Sequence, residues 1–572
     1  MRLMRRPHET APTRKVVIAA LALLVLGTVG AVKAGIAGAS FSFDLEQVTP
    51  ALARSAPAIE EPGTPRLARR VFVVIIDGLG LNHSYQLPFL DELRRRGVDT
   101  EAVSHYPSFS RPNYVSILTG VPPSASGVRT NHHLTAVQLD SLMDRAHAAG
   151  MHTASATDVT PLPRLFLRPR TALSAIPPIE IDRELHSTEE QFTTAAVRYP
   201  DADLVSPFDD ARYTPWPGGF SEAGAALAAG DAELVVMIVT VVDEAGHAYG
   251  AASRQYRQAA EIADRALARA LGRVDLTQDA IVITADHGHT ARGGHGGTEP
   301  EVMSVPLIVV GAGVRPGATS PDARLADLAP TVSALLGIPA PGHGLGRTLT
   351  ELLTLDDSAR VRRTVADNLR LISTRSVVAA AEARADLDVL EHRAARIAFV
   401  VAGTLFATVL AVLLRRRHVM RFDLRILAIA APAFFVVYFA LIATVGQRFS
   451  PSLVPAQGHL ASALIRYGLV ATLVQLLASL WALSKQPTLG TRLAMANGLA
   501  WVGFMLAMVP AALVWAFFPP PYVSVPSPYW LVLIPALEVG VACAALSFAL
   551  TLAVEVVIFA SRAWHQAPPP ID

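Results

Sequence analysis

The sequence contains a single cysteine, Cys543, so an intramolecular disulfide and a cysteine-rich zinc module are excluded. Charged residues are also scarce, at 17% of the 572 residues, against about 25% in typical soluble proteins. The 49 basic and 48 acidic residues nearly cancel, so no strong net field attracts polyanions. These deficits argue against a disordered chain and against one that coats nucleic acid.

Hydrophobic residues are abundant, at 51% of the chain, and they concentrate toward its two ends. An uncharged run at 16–32 follows several basic residues, which is typical of a signal anchor or of a long, cleavable signal peptide. A second region holds five runs, each near the roughly 20 residues that a helix needs to cross a bilayer. These runs are 397–414, 426–445, 460–483, 493–518 and 530–560.

Basic residues lie on one side of these predicted spans. With a cytoplasmic N-terminus, the connection that carries Arg415, Arg416 and Arg417 falls inside, whereas the opposite loops hold only Arg448. The positive-inside rule then places the central domain outside the cytoplasmic (inner) membrane. The predicted organisation is a cytoplasmic N-terminus at 1–15, a signal anchor at 16–38, a linker at 39–66, an extracytoplasmic domain at 67–352, a helical stalk at 353–396, a five-helix transmembrane region at 397–560 and a cytoplasmic tail at 561–572.

The central domain alternates predicted strands with predicted helices. Apolar runs at 71–76, 234–242, 280–284 and 306–310 indicate buried parallel strands. An amphipathic stretch at 256–270 predicts a helix that ends near Gly272. This alternation predicts an α/β fold, with a mostly parallel sheet and helices on both faces.

Acidic residues and histidines follow three of these strands. The carboxyl ends of strands form the ligand crevice of such a sheet, so the side chains should converge there. Carboxylates and imidazoles without cysteine favour a divalent cation, with Zn²⁺ first and Mn²⁺ second. Together with a histidine in the glycine-rich stretch 293–297, the candidate ligands are Asp77, Asp243, His247, Asp286, His287 and His295.

A serine lies where the segment 108–120 is predicted to enter a helix. Pro112 suits the first helical turn and Gly120 suits the end. Ser110 would therefore lie at the helix N-terminus, where unpaired N–H groups and the helix dipole favour a phosphate. Beside metal ions, this hydroxyl is a candidate nucleophile.

The order of these motifs resembles the alkaline phosphatase superfamily, and most closely its type I phosphodiesterase/nucleotide pyrophosphatase branch, here in membrane-anchored form. The motifs that carry the resemblance are IIDGLG, SRPNYVSILTG, DEAGH, ADHGH and GGHGG. The resemblance implies an alkaline phosphatase-like catalytic domain, and it implies that Asn131 holds a phosphoryl oxygen. It also implies two metal sites, with Asp77, Ser110, Asp286 and His287 at one and Asp243, His247 and His295 at the other. Tyr114 departs from the branch, which has a histidine there.

The leading hypothesis is a two-metal phosphohydrolase or phosphodiesterase that acts outside the cytoplasm through a phosphoserine at Ser110. A first alternative is a transferase that moves a phosphoethanolamine-like headgroup onto a lipid-linked acceptor, because the architecture resembles that of such enzymes. A second alternative is a membrane transport protein with a non-catalytic metal-binding domain, since Arg466, Glu538 and Glu555 fall in or near predicted spans. The expected partners are a phosphate-ester substrate, lipid-linked or free, and the membrane. No nucleic acid is expected, and protein partners are not predicted.

Overall fold

A seven-stranded sheet and six long apolar helices dominate the computed structural model. The structure describes residues 14–46, 49–133, 135–159, 165–169, 204–214, 217–445, 449–453, 460–522 and 524–565. Most of the stretch 168–219, which has no clear sequence periodicity, lies outside these residues.

The strands follow the apolar runs of the sequence. They are β1 (Val71–Ile76), β2 (Val98–Val103), β3 (Thr153–Thr157), β4 (Arg168–Pro169), β5 (Leu204–Val205), β6 (Asp210–Tyr213), β7 (Leu234–Val239), β8 (Ala280–Thr284) and β9 (Ser304–Gly311). The main sheet has the order β2-β9-β8-β1-β7-β3-β6, while β4 and β5 form a separate pair. Five neighbouring strands, from β8 to β6, run parallel. This confirms the predicted mostly parallel sheet.

The direction of β9 differs from the prediction. We expected the run at 306–310 to be parallel, but β9 pairs antiparallel with both β8 and β2. The chain between β8 and β9 contains only one short helix, Pro300–Met303. A parallel return needs a crossover connection that carries the chain back along the sheet, and this segment is too short in regular structure to provide it.

Two groups of helices cover the sheet. The helices of this domain are α2 (Leu81–Ser84), α3 (Pro88–Arg96), α4 (Ser110–Thr119), α5 (Pro123–Ser126), α6 (Leu142–Ala148), α7 (Pro217–Ala228), α8 (Val241–Tyr249), α9 (Arg254–Leu271), α10 (Pro300–Met303) and α11 (Leu328–Leu336). One group joins α3, α7 and α9, and the other joins α4, α6 and α11. The predicted helices on both faces are therefore present.

The predicted strand at 234–242 is shorter than expected. β7 ends at Val239, and α8 begins at Val241. Asp243 and His247 consequently lie on a helix, four residues apart, where side chains share one face.

Six helices of the described chain are long and apolar enough to cross a membrane. They are α1 (Arg14–Glu46), α12 (Asp357–Arg416), α13 (Leu424–Val445), α14 (Leu460–Ser484), α15 (Leu489–Phe517) and α16 (Pro528–His565). α1 continues to Glu46 rather than ending at the expected boundary of 38. The predicted stalk and the first span of the C-terminal region form one continuous helix, α12.

The two ends of this helical bundle differ in what they contact. At one end, the Asn497 side chain donates to the carbonyl oxygens of Val16 and Val419, both at 3.1 Å. At the other end, the helices meet the globular domain. The chain after α1 also lies against that domain, because Ala58 N donates to Gly342 O at 3.0 Å.

Candidate active site

The first group of predicted ligands meets at the carboxyl ends of β1 and β8. Because these strands are parallel neighbours, Asp77 and Asp286 come together behind their last residues. Asp286 Oδ2 lies 3.2 Å from His287 Nε2, and Asp77 Oδ1 lies 3.5 Å from the same nitrogen. His287 Nδ1 contacts Gly288 O at 3.1 Å, so Nδ1 carries the proton and Nε2 presents its lone pair to the site. Ser110 Oγ lies 3.2 Å from His287 Nε2.

The second group lies beside the first and contains four residues. On α8, His247 Nε2 lies 3.1 Å from Asp243 Oδ2. His295 Nε2 approaches His247 Nε2 to 3.3 Å, and His289 Nε2 lies 3.2 Å from Asp243 Oδ1. One potential ligand atom from each of the four lies within 4.8 Å of the others.

His289 is the member that the sequence analysis did not assign. It is the second histidine of ADHGH, two residues after His287, so the signal was present in the motif. Gly246 makes room for it, because a Cβ at that position would lie 2.5 Å from His289 Nε2. A side chain at position 246 would therefore displace the ring from Asp243.

The two groups are in direct contact through their imidazole rings. The rings of His287 and His295 stack with centroids 3.8 Å apart and planes 11° apart. The structure thus brings Asp77, Ser110, Asp243, His247, Asp286, His287 and His295 into one cluster, with the grouping that the family resemblance implies.

Buried oxygen atoms of this cluster fit metal ions. In the described residues, Asp77 Oδ1, Asp243 Oδ1 and Asp286 Oδ2 are buried and have no hydrogen-bond partner. A buried carboxylate oxygen without a partner is costly. One divalent cation in each group of ligands would satisfy these three oxygens. The donor set of carboxylates and imidazoles suits Zn²⁺ or Mn²⁺.

The electrostatics of the cluster agree with this fit. Burial, and then the charge of Asp243, raises the pKa of Asp286 to about 7. Burial and the neighbouring carboxylates raise the pKa of Asp77 well above its ordinary value. Burial lowers the pKa of His287 to about 3 and that of His295 well below the usual range. The imidazoles of His287 and His295 therefore stay neutral, as ligands must, and the carboxylates of Asp77 and Asp286 lack a positive counter-charge.

Tyr114 orients one of the carboxylates. Its hydroxyl donates a hydrogen bond to Asp77 Oδ2, and both residues are buried. Burial and the charge of Asp77 raise the pKa of Tyr114 well above its ordinary value, so the hydroxyl remains a donor. The other carboxylate oxygen, Asp77 Oδ1, faces His287. The sequence analysis noted Tyr114 only as a departure from the family pattern.

The predicted phosphate-binding residues lie at the start of α4. The helix begins at Ser110, as expected. Asn131 Oδ1 accepts a hydrogen bond from Arg111 N at 3.0 Å. Asn131 is thereby held beside the residue that follows the candidate nucleophile.

The segment around Asn131 is bonded to the end of a membrane helix. Glu46, the last residue of α1, accepts hydrogen bonds from Arg129 N at 3.1 Å and from Thr130 N at 2.6 Å. Its other oxygen lies 2.7 Å from His133 Nδ1. We call these contacts the Glu46 clamp. It joins α1 to the segment 129–133 on one side of Ser110.

The segment around His295 is bonded to a loop of the membrane region. Glu299 accepts hydrogen bonds from the hydroxyls of Ser450 and Ser452, the latter at 3.0 Å. Gly297 N donates to Ser452 Oγ at 3.3 Å. We call these contacts the Glu299 latch.

The latch reaches the second ligand group through one serine. Ser108 Oγ donates to Gly297 O at 2.8 Å, and Ser108 O lies 2.8 Å from His295 Nδ1. The loop at 449–453, between α13 and α14, is thus connected to a candidate metal ligand by three hydrogen bonds through two intervening residues. Both flanks of the candidate active site therefore rest on the same end of the membrane bundle.

A comparison with known families identifies the domain that carries this site. Residues 71–293 match the family model described as type I phosphodiesterase / nucleotide pyrophosphatase. The globular domain is type I phosphodiesterase-like. The match begins at β1, and it includes every candidate ligand of this phosphodiesterase-like domain except His295, which lies two residues beyond it. The family resemblance is therefore confirmed.

Individual relatives match about half of the chain. GPI ethanolamine phosphate transferase 1 of Emericella nidulans is 28% identical over 306 residues, which are 48% of this chain and 31% of that protein. The protein of the same name from Saccharomyces cerevisiae is 24% identical over 345 residues, 53% of this chain and 36% of its own length. The chain thus spans about a third of the length of these curated relatives. Murine ectonucleotide pyrophosphatase / phosphodiesterase 5 aligns with a TM-score of 0.36 and 13% identity over 47% of this chain and 96% of that one.

Proposed function

We propose that this protein is a membrane-embedded, metal-dependent transferase. It moves a phosphoethanolamine-like headgroup from a phospholipid to a hydroxyl of a lipid-linked acceptor. This proposal ranks the transferase above the simple hydrolase that the sequence favoured. The names of the relatives support that order, because they describe transfer of ethanolamine phosphate.

The position of the candidate site against the membrane bundle carries this proposal. The Glu46 clamp and the Glu299 latch hold the segments on both sides of Ser110 to one end of the membrane helices. A site for soluble esters needs no such attachment. A site for phospholipids does, because the phosphate of a membrane lipid stays at the surface of the bilayer.

Two divalent cations fit the site, and its ligands favour Zn²⁺ over Mn²⁺. When bound, the cations supply positive charge that ionises a hydroxyl and neutralises phosphoryl oxygens. One would be held by Asp77, Ser110, Asp286 and His287. The other would be held by Asp243, His247, His289 and His295, which adds His289 to the ligands implied by the family resemblance.

The residues of the chain account for a two-step transfer. Ser110 Oγ attacks the phosphorus, and an Oγ–P bond forms as the bond to the diacylglycerol oxygen breaks; the serine proton ends on that oxygen. The acceptor hydroxyl then attacks the phosphoserine, its new O–P bond replaces the Oγ–P bond, and its proton returns to Ser110. The N-terminus of α4 and Asn131 face the phosphoryl oxygens, where preorganised donors lower the barrier.

The distribution of charge supports a reaction outside the cytoplasm. Arg415, Arg416 and Arg417 lie at the C-terminal end of α12, at the end of the bundle opposite to the globular domain. By the positive-inside rule that end is cytoplasmic, so the phosphodiesterase-like domain lies on the extracytoplasmic side of the inner membrane.

Lipid labelling tests the proposal. Purified full-length protein is incubated in vesicles with phosphatidylethanolamine radiolabelled in its ethanolamine, together with a membrane lipid extract as acceptor. Label on a second lipid supports transfer, whereas label released only as water-soluble phosphoethanolamine contradicts it and favours the hydrolase.

Serine variants test the nucleophile in the same assay. Ser110→Ala should abolish turnover and leave metal content nearly unchanged. The matched control is Ser116→Ala, on the same helix, whose hydroxyl only donates to Pro112 O at 3.0 Å; it should remain active. Full activity of Ser110→Ala would contradict the assignment, and a wild-type protein without any turnover would favour the transport alternative.

A further inference from the structure

A cavity within the membrane bundle has no part in the site described above. It has a volume of about 300 Å³ and lies between α13, α15 and α16. All nine residues that line it are apolar, among them Pro432, Phe439, Leu506, Pro510 and Leu537. Its lining offers no polar side chain to a hydrophilic ligand.

Two prolines explain why the helices leave a gap here. Pro432 and Pro510 lie inside α13 and α15. A proline within a helix removes one backbone hydrogen bond and bends the helix away from ideal packing. Both prolines line the same cavity, so we attribute the gap to the bends of the two helices.

The cavity extends from near the domain-facing end of the bundle to about its middle. Phe439 is six residues from the end of α13, and Leu537 is nine residues from the start of α16. At 1.5 Å per residue these positions are about 9 and 14 Å below the helix ends. Pro432 also lines the cavity and is 13 residues from the end of α13, or about 20 Å below it. Half of the hydrocarbon core is about 15 Å thick, so the cavity extends from the depth of outer-leaflet lipid chains to about the middle of the bilayer.

Two of the three helices that frame the cavity, α13 and α16, lead to the candidate active site. The loop after α13 carries Ser450 and Ser452 of the Glu299 latch. The ring of Phe449 in that loop packs against Tyr529 at the start of α16, with centroids 5.5 Å apart. A chain in the cavity would therefore emerge below the His295 segment.

We propose that this cavity binds one acyl chain of the phospholipid donor. The proposal rests on the proposed function and extends it to the lipid part of the substrate. At the roughly 30 Å³ that a water-sized group occupies in a liquid, the cavity has room for about ten carbon atoms of a chain.

The chemistry of the reaction favours the donor over the acceptor as the source of this chain. In a phospholipid the reacting phosphorus is attached to the same glycerol as the acyl chains. A chain anchored in the outer half of the bundle therefore holds that phosphorus close to the bilayer surface, where Ser110 lies. In a lipid-linked acceptor, the reacting hydroxyl is separated from the lipid by the linked group, so the cavity would not fix its position.

Photocrosslinking tests the proposal without requiring turnover. The full-length protein is placed in phosphatidylcholine vesicles that contain a phosphatidylethanolamine with a diazirine in the middle of one chain. We expect crosslinks to concentrate on the cavity-lining peptides of α13, α15 and α16. Leu506→Trp, which fills the cavity, should reduce them about tenfold, equivalent to 1.4 kcal/mol.

The matched control is Met508→Trp on the same helix. Leu506 and Met508 are similarly exposed, at 43% and 48%, but only Leu506 lines the cavity. Met508→Trp should leave crosslinking unchanged. In the activity assay, Leu506→Trp should raise KM for long-chain phosphatidylethanolamine and leave hydrolysis of bis-p-nitrophenyl phosphate as in the wild type.

The outcomes separate this proposal from the proposed function. Crosslinks spread evenly over all lipid-facing helices, or unaffected by Leu506→Trp, would overturn the acyl-chain site even if transfer occurs. Concentrated crosslinks in a protein that transfers no headgroup would support the chain site and overturn the proposed function.

Discussion

Removing the hydroxyl of Tyr114 should weaken the first metal site and leave the fold intact. Tyr114→Phe deletes the hydrogen bond to Asp77 Oδ2 but keeps the ring that packs in the core. A buried acceptor that loses its partner costs about 1–3 kcal/mol. Since 1.4 kcal/mol is tenfold in an equilibrium constant, we expect metal affinity to fall about 10- to 100-fold, within the range seen for partners that orient metal ligands.

Calorimetric titration of the metal-free protein with Zn²⁺ measures this change directly. Activity should also be lost at low Zn²⁺ and restored by excess Zn²⁺, because the ligands themselves remain. Tyr438→Phe is the matched control: it removes a buried hydroxyl that donates to Ala536 O at 2.9 Å, within the membrane bundle. Unchanged Zn²⁺ affinity in a folded Tyr114→Phe protein would refute the role given to this hydroxyl.

Three further perturbations follow from the described contacts. Glu299→Gln should lower kcat on lipid and on soluble esters alike, because the latch positions the His295 segment; unchanged rates would contradict that role. Glu46→Gln removes the charge of the clamp, and it should lower turnover while a thermal melt of the protein changes little. Arg370 Nη2 lies 2.7 Å from Oδ1 of the buried Asp367. Arg370→Ala removes this ion-pair partner and should lower the free energy of unfolding by about 3–5 kcal/mol. The exposed Arg375→Ala is its control, and equal denaturation midpoints for the two variants would contradict the estimate.

The ligand cluster could be predicted from the sequence because each acidic ligand lies next to a recognisable strand pattern. Each acidic residue follows a mostly apolar run, and parallel strands bring their carboxyl ends to one edge. β1, β7 and β8 are such strands, so Asp77, Asp243 and Asp286 meet. His289 lies in the same motif and could have been included on its position alone.

Other features depend on contacts between distant parts of the chain. β9 is antiparallel because the connection before it has no crossover helix. The apolar pattern of the strand itself gives no information about that direction. Glu46 is separated from His133 by 87 positions, and Glu299 from Ser450 by 151. No local pattern marks these polar residues as partners, so the attachment of the site to the membrane bundle emerges only from the fold.

The continuity of α12 limits how the phosphodiesterase-like domain can move. This helix runs for 60 residues from the domain into the membrane region, and Gly403 is its first glycine or proline. Its first turns are fixed to the domain, where Arg363 donates to the carbonyl oxygens of Ile338 and Pro330, both at 2.8 Å. Bends in long helices occur at prolines, glycines and inserted residues. The domain is therefore joined to the membrane region by a helix that has no glycine or proline before Gly403. In the proposed function, lipids would enter and leave the site by rearrangement of loops and not by rocking of the whole domain.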